Sequence, residues 1–170
     1  MWYLDVNYHS TLLLTGGADA TARLWEVETG NQLMCWTHAS PVRCVGFAEG
    51  DRMILTVGDK AMGQEAEIFI SELGNVEEMK GETVDLKPKM ILKGHESKIS
   101  RALWGNLNQT IISCSDDGSV RLWDVETGKE IRRVDIHRSG INSMHLSRDK
   151  FLLVTAGRDH SSRVGNCSFP

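Results

Sequence analysis

The stretch GHESKISRALWGNLNQTIISCSDDGSVRLWD, residues 94–124, decides the fold because it reads as one supersecondary unit. Two short apolar runs, Ile99 to Trp104 and Thr110 to Cys114, are separated by the turn-forming Asn106-Leu107-Asn108. A third, Ser119 to Trp123, follows the tight-turn residues Asp116-Asp117-Gly118. Within it Val120, Leu122 and Asp124 alternate with Ser119, Arg121 and Trp123, and a period of two marks a strand. Strands joined by turns this short are antiparallel neighbours.

Outward from this unit the chain repeats itself. Residues 11–30, TLLLTGGADATARLWEVETG, align without a gap on 109–128, QTIISCSDDGSVRLWDVETG, at an offset of 98 positions. With units of about 40–45 residues, that offset holds one intervening copy and an insertion. The intervening copy opens at His38, runs through Val42 to Phe47 and Met53 to Val57, and reaches EIFISEL at 67–73, where Ser71 replaces Trp. Its extra length falls in the polar segment 74–87, GNVEEMKGETVDLK, which reads as a solvent-exposed loop. A last copy opens at His137, has runs Ile141 to Leu146 and Phe151 to Ala156, keeps Thr155 and Asp159, and puts Gly165 at the Trp position. The expected units are 1–37, 38–93, 94–136 and an incomplete 137–170.

Gly94-His95, then Ser113, Asp117 four positions on and Trp123 six beyond that, resemble the WD-repeat family of β-propellers. The resemblance implies an all-β fold of four-stranded blades around a channel. It also implies a hydrogen-bonded tetrad of His95, Ser113, Asp117 and Trp123. Such a set is chemically self-consistent: neutral imidazole donates once and accepts once, indole only donates, and an ionised carboxylate only accepts. Partial tetrads are Thr15, Asp19 and Trp25 in the first copy, His38 and Thr56 in the second, and His137, Thr155 and Asp159 in the last. Lys60 stands at the Asp position of the second copy, with Asp59 beside it.

Three phrases go beyond what a generic blade requires: DKAMG at 59–63, SRALWGNL at 100–107 and INSMHLSRD at 141–149. They resemble the i-subunit family of eukaryotic translation initiation factor 3. That resemblance implies a non-enzymatic, cytoplasmic scaffold that binds the b and g subunits and serves recruitment of the small ribosomal subunit and mRNA. A WD-repeat adaptor in signalling or ubiquitin-ligase substrate capture is the alternative, because a fold does not identify a pathway.

Composition narrows the field. With 19 basic and 23 acidic residues, a net charge of −4 and no basic block, the chain lacks the electrostatic footprint of direct nucleic-acid binding. No apolar run approaches the ~18 residues that span a bilayer, and the N-terminus has no signal pattern. The expectation is a soluble, unsecreted protein with no membrane contact. Cys35, Cys44, Cys114 and Cys167 form no CxxC pair, so reduced, strand-packed thiols are expected rather than a metal site. His9, His145 and His160 are isolated, which gives a metal no ligand set.

Ser113, His95 and Asp117 are the residue types of a hydrolase triad, but the same types recur at 15 and 19 and at 137, 155 and 159. A trio repeated from unit to unit is a device of the fold, whereas catalysis needs one concave site. Glycines 16, 17, 58 and 118 read as turns, and no G-x-x-x-x-G-K accompanies them, so no phosphate cradle or cofactor is expected. Trp36 and Trp104 fall outside the Trp slot and are expected between blades; Glu77-Glu78 belongs to the insertion. The whole reads as about three and a half blades, a partial and open propeller with association-prone faces and a truncated look at both ends. Leaving two blade faces in water would cost on the order of 10 kcal/mol.

Overall fold

Period-two runs separated by turn residues become fifteen strands in four antiparallel sheets among the residues described, which are 1–60, 66–74 and 87–167 of a computed structural model. Apart from Gly74 and Lys87 the expected insertion lies outside the described residues, Glu77 and Glu78 included. The first sheet holds β1 (Tyr3–Val6), β2 (Leu12–Gly16), β3 (Thr21–Glu26) and β4 (Gln32–Thr37). The second holds β5 (Val42–Phe47), β6 (Met53–Gly58), β7 (Glu67–Glu72) and β8 (Met90–Leu92). The third is β9 (Ile99–Trp104), β10 (Thr110–Ser115), β11 (Ser119–Asp124) and β12 (Glu130–Asp135). The fourth has three strands, β13 (Ile141–Leu146), β14 (Leu152–Gly157) and β15 (Ser162–Asn166). Strands pair in chain order within every sheet.

The repeat seen in the sequence is a repeat of register. Leu13 faces Trp25 on the first sheet and Ile111 faces Trp123 on the third. In the second and fourth sheets the matching partners are Ile54 with Ser71 and Leu153 with Gly165. Even an irregularity is copied: the pairing of third and fourth strands slips between Leu24 and Trp25, and again between Leu122 and Trp123.

The inner strands β1, β5, β9 and β13 neighbour one another in series, so the sheets stack radially like blades. Three apolar layers hold the stack. Leu14, Leu24 and Met34 meet Val42, Val45 and Ile54 between the first two sheets. Leu55, Ile68 and Ile70 meet Trp104, Ile111 and Trp123 between the second and third. Ile112, Cys114 and Leu122 meet Ile141, Met144 and Leu153 between the third and fourth. Trp36 lies in the first layer and Trp104 in the second, where its indole N–H donates to the Gly46 carbonyl of the neighbouring sheet at 3.2 Å. All four cysteines are free thiols; burial pushes Cys44 up to about 11 and Cys114 up to about 12, which keeps both protonated and unreactive.

Two glycines depart from the turn expectation. Gly16 ends β2, and a Cβ there would stand 2.8 Å from a Val42 methyl, so its bareness lets the second sheet approach the first. Gly58 likewise ends β6, against the Ser40 hydroxyl and Phe69 ring. Gly118, at φ +81°, is a true turn glycine.

The outward faces of the end sheets remain apolar and open. Leu4 and Val6 are exposed on the first, and Leu152, Val154 and Val164 on the fourth. Because the inter-sheet layers carry the stability, Ile70→Ala should cost about 2–5 kcal/mol in chemical denaturation. Ile131→Ala, on exposed β12, should change it by less than about 0.5 kcal/mol.

Candidate functional site

Side chains of the expected tetrad meet in the third sheet. Gly94 sets up the approach: at φ +143° it occupies a conformation few L-residues adopt, and a Cβ would press on the Arg121 guanidinium and Trp123 ring at 3.3 Å. His95 follows, 4% exposed, with Nε2 at 2.6 Å from the Ser113 hydroxyl, which is itself fully buried. The indole Nε1 of Trp123 donates to the same hydroxyl at 2.8 Å. Since Ser113 Oγ accepts from Trp123, its own hydrogen is free for His95 Nε2, which leaves the imidazole hydrogen on Nδ1. That nitrogen points toward Asp117 Oδ2 at 3.8 Å, an electrostatic approach longer than a hydrogen bond.

Burial holds His95 neutral by lowering it to about 4, and the nearby Arg121 charge acts in the same direction. For Asp117 burial opposes ionisation, yet hydrogen bonds from the Ser119 amide at 2.8 Å and hydroxyl at 2.6 Å prevail, and the carboxyl sits below its ordinary value. Arg121, missed as a site residue in the sequence, seals this corner. Its Nη1 donates to the Gly94 carbonyl at 2.7 Å and to Glu130 Oε2 at 2.8 Å. The sequence signal for it was the Arg shared by positions 23, 121 and 163.

The other copies differ. In the first, Trp25 Nε1 donates to Thr15 Oγ1 at 2.9 Å, while Asp19 accepts from Thr21 Oγ1 at 2.9 Å and from Arg23 at 3.1 Å at the surface. In the fourth, His137 joins Thr155 through Nε2 at 2.9 Å and Asp159 through Nδ1 at 3.0 Å. The Ser161 hydroxyl, 2.7 Å from Asp159, and His137 hold that carboxyl well below the usual range. Gly165 supplies no indole, so Thr155 has no Trp donor.

The second copy brings His38 and Thr56 to no mutual hydrogen bond among the described residues. His38 instead leans on Phe69 at 5.0 Å between ring centres, where burial lowers its pKa, and Phe69 faces Thr56 across the strands. Lys60, at the Asp position, reaches the Glu96 carbonyl. Asp59 beside it is buried in an ion pair with Arg43 at 2.8 Å.

Chemically the arrangement is closed. The Ser113 hydroxyl is wedged between an indole and a neutral imidazole, with no open side for a substrate. Among the described residues no three His, Cys, Asp or Glu side chains could hold a metal ion, and no helix is long and apolar enough to cross a membrane. His9, His145 and His160 are exposed.

Sequence comparison supplies the family. The pattern of the WD domain, G-beta repeat family matches residues 1–26, 86–124 and 128–164, and skips most of the second sheet, where the tetrad is worn. The chain is similar to eukaryotic translation initiation factor 3 subunit I of Bombyx mori, 36% identical over 165 residues, covering 96% of this chain and 49% of that protein. It is 36% identical over 167 residues to the same subunit of Drosophila melanogaster and 34% over 164 residues to that of Culex quinquefasciatus, in each case covering 96% of this chain and 50% of the relative. The chain thus spans about half the length of the curated relatives it matches.

Ser113→Ala orphans the buried Trp123 N–H and His95 Nε2, so it should destabilise the chain by about 1–3 kcal/mol in urea titration. Thr15→Ala, in the open first sheet, should cost less. His95 supplies a pH signature. Its pKa in the folded chain is about 4, against 6.5 ordinarily, so the unfolded chain binds a proton that the folded chain refuses. Stability is complete above about pH 6.5 and declines as pH falls toward 4; His95→Gln should flatten that decline when urea midpoints at pH 7 and 4.5 are compared.

Proposed function

The chain belongs to the WD domain, G-beta repeat family, and from that premise we propose that it is a non-enzymatic interaction scaffold acting in eukaryotic translation initiation factor 3. The observation that carries this reading is similarity to subunit I along 96% of the chain, including the worn second unit that the general repeat pattern skips. Each unit, taken as 1–37, 38–93, 94–136 and 137–170, presents sheet faces and rims for partners to grip. Partners on this reading are the b and g subunits, and through them the small ribosomal subunit and mRNA, in the cytoplasm. Direct nucleic-acid contact is not part of it, in keeping with a net charge of −4.

The chemistry of the tetrad supports a non-catalytic role. A general base needs a pKa near working pH and a reachable proton. His95, buried and lowered to about 4, has neither, since its partner hydroxyl is sealed beneath Trp123. Affinity capture of the epitope-tagged gene product from its own cells, followed by mass spectrometry, should recover initiation-factor subunits, the b and g types among them. An eluate that lacks all of them would end this assignment.

A further inference from the structure

The Trp slot of the second sheet holds Ser71, and there the packing between sheets does not close. A cavity of about 260 Å³ lies against the first sheet, lined chiefly by Trp36, His38, Ile54, Thr56, Phe69 and Ser71. Exposed Thr37 and Pro88 also border it, so it reaches the surface between β4 and β8. Its walls come from two sheets of four strands each. Among the described residues the side chains of His38, Thr56 and Ser71 make no hydrogen bond, and the Trp36 indole N–H is buried without an acceptor. Buried polar groups are ordinarily bonded, so four without partners around one cavity call for another molecule's atoms.

The third sheet shows which atoms fit. There Ile111 faces Trp123 as Ile54 faces Ser71, and Arg121 faces Ser113 as Phe69 faces Thr56. Trp123 fills that slot, donating its N–H to the Ser113 hydroxyl at 2.8 Å with its ring centre 5.8 Å from that of His95. His38 and Thr56 stand at the same two positions of the second unit, so an indole would meet the same kind of acceptor and the same aromatic neighbour. Phe69 in place of the arginine removes a guanidinium and adds a ring, and burial keeps His38 neutral. Room is sufficient: cavities of roughly 150 Å³ already admit a benzene ring, against about 260 Å³ here.

We infer that this cavity takes the tryptophan side chain of a partner protein, its indole N–H donating to Thr56 and its ring lying against His38 and Phe69. A buried aromatic anchor in a fitted pocket is the kind of contact that dominates protein interfaces. The inference rests on the scaffold reading and gives it a point of contact. A binding test on the purified chain can fail without touching membership of the initiation factor.

The probe is N-acetyl-5-fluorotryptophanamide, followed by fluorine NMR so that the chain's own five tryptophans stay silent. Titration with the 170-residue chain should shift and broaden its resonance to saturation. The 1-methyl analogue, which has no N–H, should bind about three- to tenfold more weakly. Thr56→Val should weaken the parent probe by the same factor and leave the methylated one unchanged, because only the hydroxyl contact is lost. Ser71→Trp should fill the slot, abolish binding and raise the melting midpoint. A resonance unmoved by the chain overturns the proposal and leaves the cavity to water. So does undiminished binding by the Ser71→Trp chain, or a methylated probe that binds as well as the parent. Should deletion of residues 76–85 strengthen binding by more than about tenfold, the chain itself competes for the slot and the proposal falls.

Discussion

Everything in this molecule depends on burying the apolar faces of thin sheets against their neighbours. A four-stranded sheet this small has no core of its own; Leu14 and Leu24 look one way from the first sheet while Leu13 and Trp25 look the other. Only a neighbour on each side keeps such side chains from water, at roughly 25 cal/mol for each Å² removed. The three apolar layers are therefore the fold, and the strands are the means of presenting them. Small residues set the spacing between layers, as Gly16 does beneath Val42.

Against that demand the tetrad is a local solution to a polar problem. Where a His, a hydroxyl, an Asp and a Trp are all present, as in the third sheet, the Ser113 hydroxyl bonds both the imidazole and the indole, and the Asp117 carboxylate stands 3.8 Å from His95 Nδ1 and 3.7 Å from Arg121 Nη2. The second sheet solves it differently, with an aromatic pair of His38 and Phe69 and a buried ion pair of Arg43 and Asp59. The fourth keeps His137, Thr155 and Asp159 and dispenses with the indole. The network varies from unit to unit while the layers persist, which ranks packing above polar signature in holding the architecture together.

That ranking explains what the bare sequence could reveal. Units aligned at an offset of 98 share strand limits and cross-strand partners, because register follows from alternation and turn length. The Trp slots at Ser71 and Gly165 were legible for the same reason. The β12 strand was not: every residue of EIRRVD is exposed, so no buried face imposes an alternating pattern. Nor was the Arg121–Glu130 pair, whose members lie nine positions apart and meet only when two strands fold together. Gly16 and Gly58 misled because a glycine needed for close approach looks, in one dimension, like a glycine needed for a bend. His38 stood where the pattern wanted it, but the Phe69 that diverts it lies on another strand.

Strict chain-order pairing carries a kinetic corollary. Among the described residues every sheet pairs its strands in chain order, so each hairpin except β7–β8, which spans residues 73–89, closes only a short stretch of backbone. Loop-closure entropy is accordingly small at those steps, and a unit can nucleate before the residues that follow it have been synthesised. Growth then proceeds by accretion, each new sheet condensing on the apolar face left by its predecessor, in the manner of a one-dimensional lattice.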